Sequence, residues 1–139
     1  MTDGVIDSNV IMHALTHDEN SQECSAFMAC LHDGKLRARL EPYVVHELTY
    51  AIPRLEKGWS KERLAETLLL VIDFPGVQCD RALLKSAIGR WVSKPGVSFV
   101  DALLWAQAAN TGSSVFTINT RHFEGAGVDA PRPLPACQL

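Results

Sequence analysis

No segment of the 139-residue chain approaches the roughly 20 uninterrupted apolar residues that cross a bilayer, so a membrane-spanning helix is excluded. Its nine Gly and seven Pro are dispersed, which rules out a collagen-like or low-complexity chain. Cys24, Cys30, Cys79 and Cys137 stand in no CxxC or CxxH spacing, so neither a zinc site nor a disulfide framework is indicated. There is no Gly-rich phosphate loop and no GxSxG elbow, which leaves P-loop and serine-hydrolase chemistry without an anchor. Positive charge is also short: 13 Lys and Arg against 16 Asp and Glu leave a net −3, too little to hold a polyanion by bulk charge. The opening MTDGVIDSNV has no basic stretch followed by an apolar one, and the expected compartment is the cytoplasm.

What remains is an ordinary folding composition. With 47% hydrophobic and 21% charged residues, and no linker or repeat, one domain with its own core is expected. Gly4-Val5-Ile6 reads as a strand that breaks at Asp7-Ser8-Asn9 into a helix through Val10, Ile11, Ala14 and Leu15. A second helix fits Ser21 to His32, closed by Gly34; a short strand fits Leu36 to Leu40. Pro42 opens a third helix ending at Gly58, and Ser60 caps a fourth that runs to Pro75-Gly76. Val77 and Cys79 suggest a strand, Asp80 caps a fifth helix, and Ser98 opens an apolar sixth, stopped by Gly112. Val115 to Ile118 and a segment near Leu134 are the remaining strand candidates. Strands alternating with helices predict an α/β fold with a parallel sheet covered on both faces.

Open parallel sheets gather functional groups at the carboxyl ends of their strands, where Asp7 and Asn119 fall. Two further acids lie on apolar helical faces: Glu47 with Val44, Leu48, Ala51 and Leu55, and Asp101 with Leu104, Trp105 and Ala108. Taken singly, each has a local use. Asp7 can cap the first helix, Asp101 can complete a capping box with Ser98, Glu47 can pair with Arg54, and Asn119 can make a turn. Taken together, Asp7, Glu47, Asp101 and Asn119 form an all-oxygen ligand set for hard divalent cations. Two Mg²⁺ would outweigh three carboxylates, making the site locally cationic and able to accept a phosphodiester that the bare chain repels.

At these positions Val5-Ile6-Asp7-Ser8-Asn9-Val10, Val45-His46-Glu47-Leu48, Ser98-Phe99-Val100-Asp101-Ala102-Leu103 and Thr117-Ile118-Asn119-Thr120-Arg121-His122-Phe123 resemble the four motifs of PIN domains, most closely those of VapC-type toxins. The resemblance covers nearly the whole chain. It implies a single PIN-like domain over residues 1–139, a three-layer sandwich with a mostly parallel sheet of four to five strands. It also implies a Mg²⁺- or Mn²⁺-dependent ribonuclease, a VapB-like antitoxin partner and a homodimer. Asp7, Glu47 and Asp101 would be the acidic metal centre and Asn119 would stand where many members have a fourth acid. Ser8 would lie at the site rim, and Thr117 would support the turn that holds Asn119.

In-line attack by water would leave 5′-phosphate and 3′-hydroxyl ends. A metal-free rival would use a histidine pair and leave a 2′,3′-cyclic phosphate; His13 and His17 are four apart in a helical stretch, but lack the Glu and third ligand of HExxH. Arg54, Lys57, Lys61 and Arg63 surround Trp59 and read either as a solvated loop or as a guide for RNA with Trp59 stacking on a base. Leu64, Leu68, Leu69 and Val71 read as core, and in similar proteins such a helix borders the antitoxin groove. Asn119 in place of an acid also admits a PIN-fold RNA- or protein-binding module of weak or no catalytic activity. A haloacid-dehalogenase centre is excluded, since it wants DxD where this chain has Asp7-Ser8-Asn9.

Overall fold

A computed structural model describes residues 2–123, 125 and 127–137. The fold is α/β with a parallel sheet. The chain gathers into two compact units, residues 1–84 and 85–139, with the boundary inside one helix.

The first unit is built on three short parallel strands, β1 (Gly4–Val5), β2 (Ala38–Arg39) and β3 (Val77–Gln78), in the order β1-β2-β3. Gly4 faces Ala38 and Ala38 faces Val77, and the pairing extends beyond the strands through Ile6 N–H to Arg39 O (2.9 Å) and Leu40 N–H to Gln78 O (2.9 Å). Parallel neighbours need crossovers. Helices α1 (Ser8–Leu15) and α2 (Ser21–His32) form the first, and α3 (Pro42–Leu55) and α4 (Lys61–Ile72) the second. Pro42 opens α3 at the position where its missing N–H is harmless. Ser60 caps α4 by accepting from Arg63 N–H at 3.0 Å, and Asp80 accepts from Leu83 N–H at the start of α5 (Arg81–Ser93). Ile11, Leu31, Leu40, Val45, Leu48, Ile52, Leu64, Leu68, Ile72 and Leu84 are fully buried. The Arg81 guanidinium donates to the carbonyls of Ile72, Phe74 and Val77, satisfying backbone acceptors where α4 turns into β3.

The second unit holds the rest of α5 and α6 (Phe99–Thr111). Ser98 caps α6 through Asp101 N–H at 3.2 Å, and Gly112, in the left-handed conformation (φ 64°), ends it. Ala108, Val115 and Phe123 form a small core with Trp105, Val128 and Ala130 against it, and Trp91 meets Phe99 edge to face.

Several expectations need correction. Among the described residues three strands pair in the ladder, within the expected α/β fold; Val115–Ile118 and the segment near Leu134 have no regular strand structure of their own, and Val115 donates one backbone bond to Asp129 O (2.8 Å). Leu55 is 64% exposed because α3 outlasts the core it packs on, so it does not share the buried face of Val44 and Leu48. Helix α6 is apolar all round yet exposes Val100 and Leu104 while burying Phe99, Ala102, Ala106 and Ala108. In α4, Leu64, Leu68 and Val71 are core as expected, whereas Leu69 is only half-buried and Leu70 is exposed. His13 and His17 do not share a helix: Thr16 turns its hydroxyl and its N–H back to Met12 O, α1 stops at Leu15, and His17 lies beyond it. His13 Nδ1 instead lies 2.5 Å from Asp18 Oδ2.

Gly76 is the tightest point of the first unit. Its N–H donates to Leu31 O and its carbonyl accepts from Ala38 N–H, both at 2.8 Å, so it joins the end of α2 to β2. A Cβ there would stand 2.1 Å from Leu36 O and 2.7 Å from Leu31 O, both rigid backbone atoms. Gly76→Ala is therefore expected to cost about 3 kcal/mol or more in urea unfolding. A cost under about 1 kcal/mol would show that this junction yields.

Asp18 supplies a second test. His13 first, then Asn20 N–H and the Thr16 hydroxyl, hold its carboxyl below the ordinary carboxylate pKa. A depressed carboxylate adds stability above its unfolded-state pKa and loses it as pH falls through the folded-state value. Asp18→Asn should flatten the acid limb of the stability–pH curve relative to wild type. Superimposable acid limbs would contradict this linkage.

Candidate functional site

The first unit brings two of the four expected ligands together. Because β1 and β2 are parallel, Asp7 after β1 and Glu41-Pro42 after β2 leave the same edge of the sheet. Glu47 follows within the second turn of α3, on the flank that starts at that edge. Ser8, 2% exposed, lies between the acids. Its oxygen is 2.6 Å from Glu47 Oε2 and 3.3 Å from Asp7 Oδ1. A hydroxyl has one proton, and the shorter distance assigns it to Glu47. Asp7 Oδ1 also accepts from Asn9 N–H at 3.2 Å, so Asp7 does cap α1. Capping engages one oxygen only: among the described residues Asp7 Oδ2 and Glu47 Oε1 have no protein partner. Both acids line a cleft of about 310 Å³ with Val5, Ile6, Tyr43 and Val44. Glu47 pairs with Ser8 and not with Arg54, whose guanidinium lies 5.5 Å from the Tyr50 ring centre.

Tyr43, 66% exposed on the cleft wall, is a site residue that the sequence reading passes over. Its spacing of four from Glu47 puts the two on one helical face and is the signal that could have found it.

The second unit contains the other two. Asp101 sits in the first turn of α6, where the helix dipole favours negative charge. Its N–H fills the Ser98 cap, but its carboxylate does not complete a capping box; Oδ2 lies 2.6 Å from His122 Nδ1, at ion-pair distance without in-line hydrogen-bond geometry. His122 belongs to a 3₁₀ turn (Thr120–His122) that Asn119 introduces. Thr117 Oγ1 accepts from Asn119 N–H at 3.0 Å and shapes that turn, while the Asn119 carboxamide makes no capping bond. Arg90 of α5 holds the same turn, donating from Nη2 to His122 O at 2.9 Å with its guanidinium 5.5 Å from the Trp105 ring centre. No sequence spacing marks His122 or Arg90 for these contacts, since both depend on how the chain folds back.

Within each unit, the described residues gather no three His, Cys, Asp or Glu side chains as a metal-binding group. The donors on offer are Asp and Glu carboxylates and an Asn amide. Hard oxygen of this kind suits Mg²⁺ or Mn²⁺ better than softer ions.

The basic loop after α3 is organised. The Arg63 guanidinium lies 3.9 Å from the centre of the half-buried Trp59 ring, a cation–π contact, and Lys57 is exposed. Lys61 is the first residue of α4. No helix among the described residues is long and apolar enough to cross a membrane.

Comparison with curated proteins and with solved structures returned no match. The sequence does match a known family over residues 4–128, a span that includes Asp7, Glu47, Asp101 and Asn119 and reaches into both compact units. That family is the PIN domain, a nuclease-type fold, and the chain belongs to it.

Proposed function

We propose that this PIN domain is a metal-dependent endoribonuclease and the toxin of a VapBC-type pair, neutralised by a VapB-like antitoxin and working as a cytoplasmic homodimer. The observation that carries the catalytic part is the Asp7–Glu47 pair on either side of Ser8, two carboxylates at a sheet edge with oxygens left over for a ligand. Asp7, Glu47, Asp101 and Asn119 would be the oxygen donors that hold Mg²⁺ or Mn²⁺. A cation bound there would supply Lewis-acid polarisation of the phosphate and would ease deprotonation of the attacking water.

The chain's own residues do the positioning. Ser8 fixes the Glu47 carboxylate and offsets its partial burial, which is costly for an unpaired carboxylate. Asn9 N–H anchors one Asp7 oxygen and leaves the other open. In the second unit Thr117 shapes the Asn119 turn and His122 sits against Asp101. The reaction is hydrolysis: water oxygen bonds to phosphorus, the bond from phosphorus to O3′ breaks, and O3′ takes a proton. The ends are a 5′-phosphate and a 3′-hydroxyl.

The rival metal-free chemistry loses its best pair, because His13 is engaged by Asp18 and His17 lies outside α1. The rival of a catalytically dead binding module rests on Asn119 alone; an amide oxygen still coordinates a hard cation, though it adds no charge.

Cleavage of RNA by the purified protein should require Mg²⁺ or Mn²⁺ and stop in EDTA. Asp7→Asn and Asp101→Asn should each lower the rate by at least about 100-fold. Ser8→Ala should lower it about 10- to 100-fold, with partial recovery at high Mg²⁺, as expected for a residue acting through a ligand. Undiminished cleavage in EDTA, or 2′,3′-cyclic phosphate ends, would overturn the mechanism.

The basic loop extends the proposal to substrate: Arg54, Lys57 and Lys61 guide the RNA backbone and Trp59, stiffened by Arg63, stacks on a base. Lys57→Ala with Lys61→Ala should weaken RNA binding and flatten its salt dependence by about 0.7 for each phosphate no longer neutralised. Equal affinity and slope would confine the loop to a solvated role.

A further inference from the structure

Helix α3 keeps one face in the core of the first unit and turns another outward. Val44, Val45, Leu48 and Ile52 are buried, while Tyr43, Glu47, Tyr50 and Arg54 follow the alternating four-and-three spacing that aligns side chains in a single stripe on the far side. The stripe starts at the carboxylate cleft, whose wall Tyr43 forms beside Asp7 and Glu47. It ends where α3 gives way to the loop of exposed Lys57 and the Arg63–Trp59 pair.

A single exposed aromatic ring needs no explanation, but this stripe carries two, with a carboxylate between them and a guanidinium after them. Tyr43 is 66% exposed and Tyr50 45%. Tyr50 is nonetheless held: the His46 ring meets it edge to face at 5.3 Å between centres, and the Arg54 guanidinium lies over it at 5.5 Å. Seven residues of helix separate the tyrosines by about 10.5 Å along the axis, beyond the roughly 4.5 to 7 Å at which two rings stack on each other. Each ring is therefore placed to meet a flat group of its own. Charge changes sign along the same line, from Glu47 at the cleft to exposed Arg54 and Lys57 at the far end.

We infer that this stripe is the track of a single-stranded RNA: Tyr43 stacks on a base beside the Asp7–Glu47 pair, Tyr50 stacks on a further base, and the strand runs on toward the basic loop. The inference rests on the ribonuclease reading above and names its substrate class as unpaired RNA. Every base has a face to offer a ring, so stacking grips a strand whatever its sequence, whereas a duplex keeps its bases stacked on one another. Charge complementarity favours a nucleic acid over a protein face. Arg54 and Lys57 suit phosphates, and an apolar surface seated on the stripe would leave the unengaged Glu47 oxygen buried without a donor.

The test uses a short single-stranded RNA carrying 2-aminopurine, whose fluorescence falls when the base stacks, titrated in EDTA over a salt series, with cleavage of the same RNA in Mg²⁺ followed in parallel. Tyr43→Ala and Tyr50→Ala should each weaken binding about tenfold and restore part of the quenched fluorescence, while the slope of log K against log salt stays as in wild type because no charge is removed. Tyr43→Phe and Tyr50→Phe keep the ring and should bind and quench as wild type does. Affinity for a fully paired duplex of the same sequence should be indifferent to either Ala variant. Leu70→Ala removes an exposed apolar side chain from α4 and should leave affinity within about twofold. Unchanged affinity and fluorescence in the Tyr→Ala variants, or an equal loss in Leu70→Ala, would overturn the track. Tyr→Ala variants that dissociate a dimer in sedimentation while binding RNA as wild type does would overturn it too, and assign the stripe to a second copy of the chain. Tyrosine-dependent binding by a protein that cleaves nothing in Mg²⁺ would overturn the ribonuclease reading and keep the track; Mg²⁺-dependent cleavage with tyrosine-independent binding would do the reverse.

Discussion

A carboxylate pulled part-way out of water must find a donor, and at the carboxyl edge of this sheet the donor is the Ser8 hydroxyl. Buried at the start of α1, it reaches across 39 positions of sequence to Glu47 and stays close to Asp7. That one hydrogen bond ties the β1–α1 junction to the flank of α3, where both acids line one cleft. The parallel register of β1 and β2 makes it possible, since Ile6 and Arg39 are bonded just before the chain leaves the sheet on either side. Were the strands antiparallel, α1 and α3 would start from opposite edges and the pair could not form.

The second unit solves the same problem differently. Asp101 is held at a helix start by the Ser98 cap and the dipole, and is answered by an imidazole from a turn that folds back on it. That turn has little regular structure of its own. It is fixed by Thr117 from within, by the Arg90 guanidinium from α5 and by Arg132, which donates to Ile118 O at 2.9 Å. Polar side chains bonded to the backbone do here what a ladder would do in a sheet, tying down the turn that carries Asn119 and Arg121.

Local chemistry was legible in the sequence. Ser60 and Ser98 cap their helices, α2 spans Ser21–His32 as its periodicity predicts, and Gly112 adopts the left-handed φ that its place after α6 requires. The motif residues that single out the family are also local, which is why they are readable without coordinates. What sequence hid was long-range or competitive. Gly76 looks like any turn glycine, yet its backbone threads between Leu31 and Leu36. The His13–His17 spacing looks helical, yet Thr16 competes for Met12 O and ends the helix first. Val115–Ile118 has strand-forming residues, but a strand needs a neighbour, and the bond from Val115 to Asp129 is a single tie. For Glu47, an arginine seven positions on looks like the partner; the fold supplies a serine from another helix.

On the proposed function, the oxygens left unengaged on Asp7 and Glu47 hold a divalent cation. Anomalous diffraction from crystals grown in Mn²⁺ tests it most directly. A manganese peak is expected within coordination distance of Asp7 Oδ2 and Glu47 Oε1, and its loss in Asp7→Asn crystals. Density showing only water beside two carboxylates still held by Ser8 and Asn9, at saturating Mn²⁺, would contradict it.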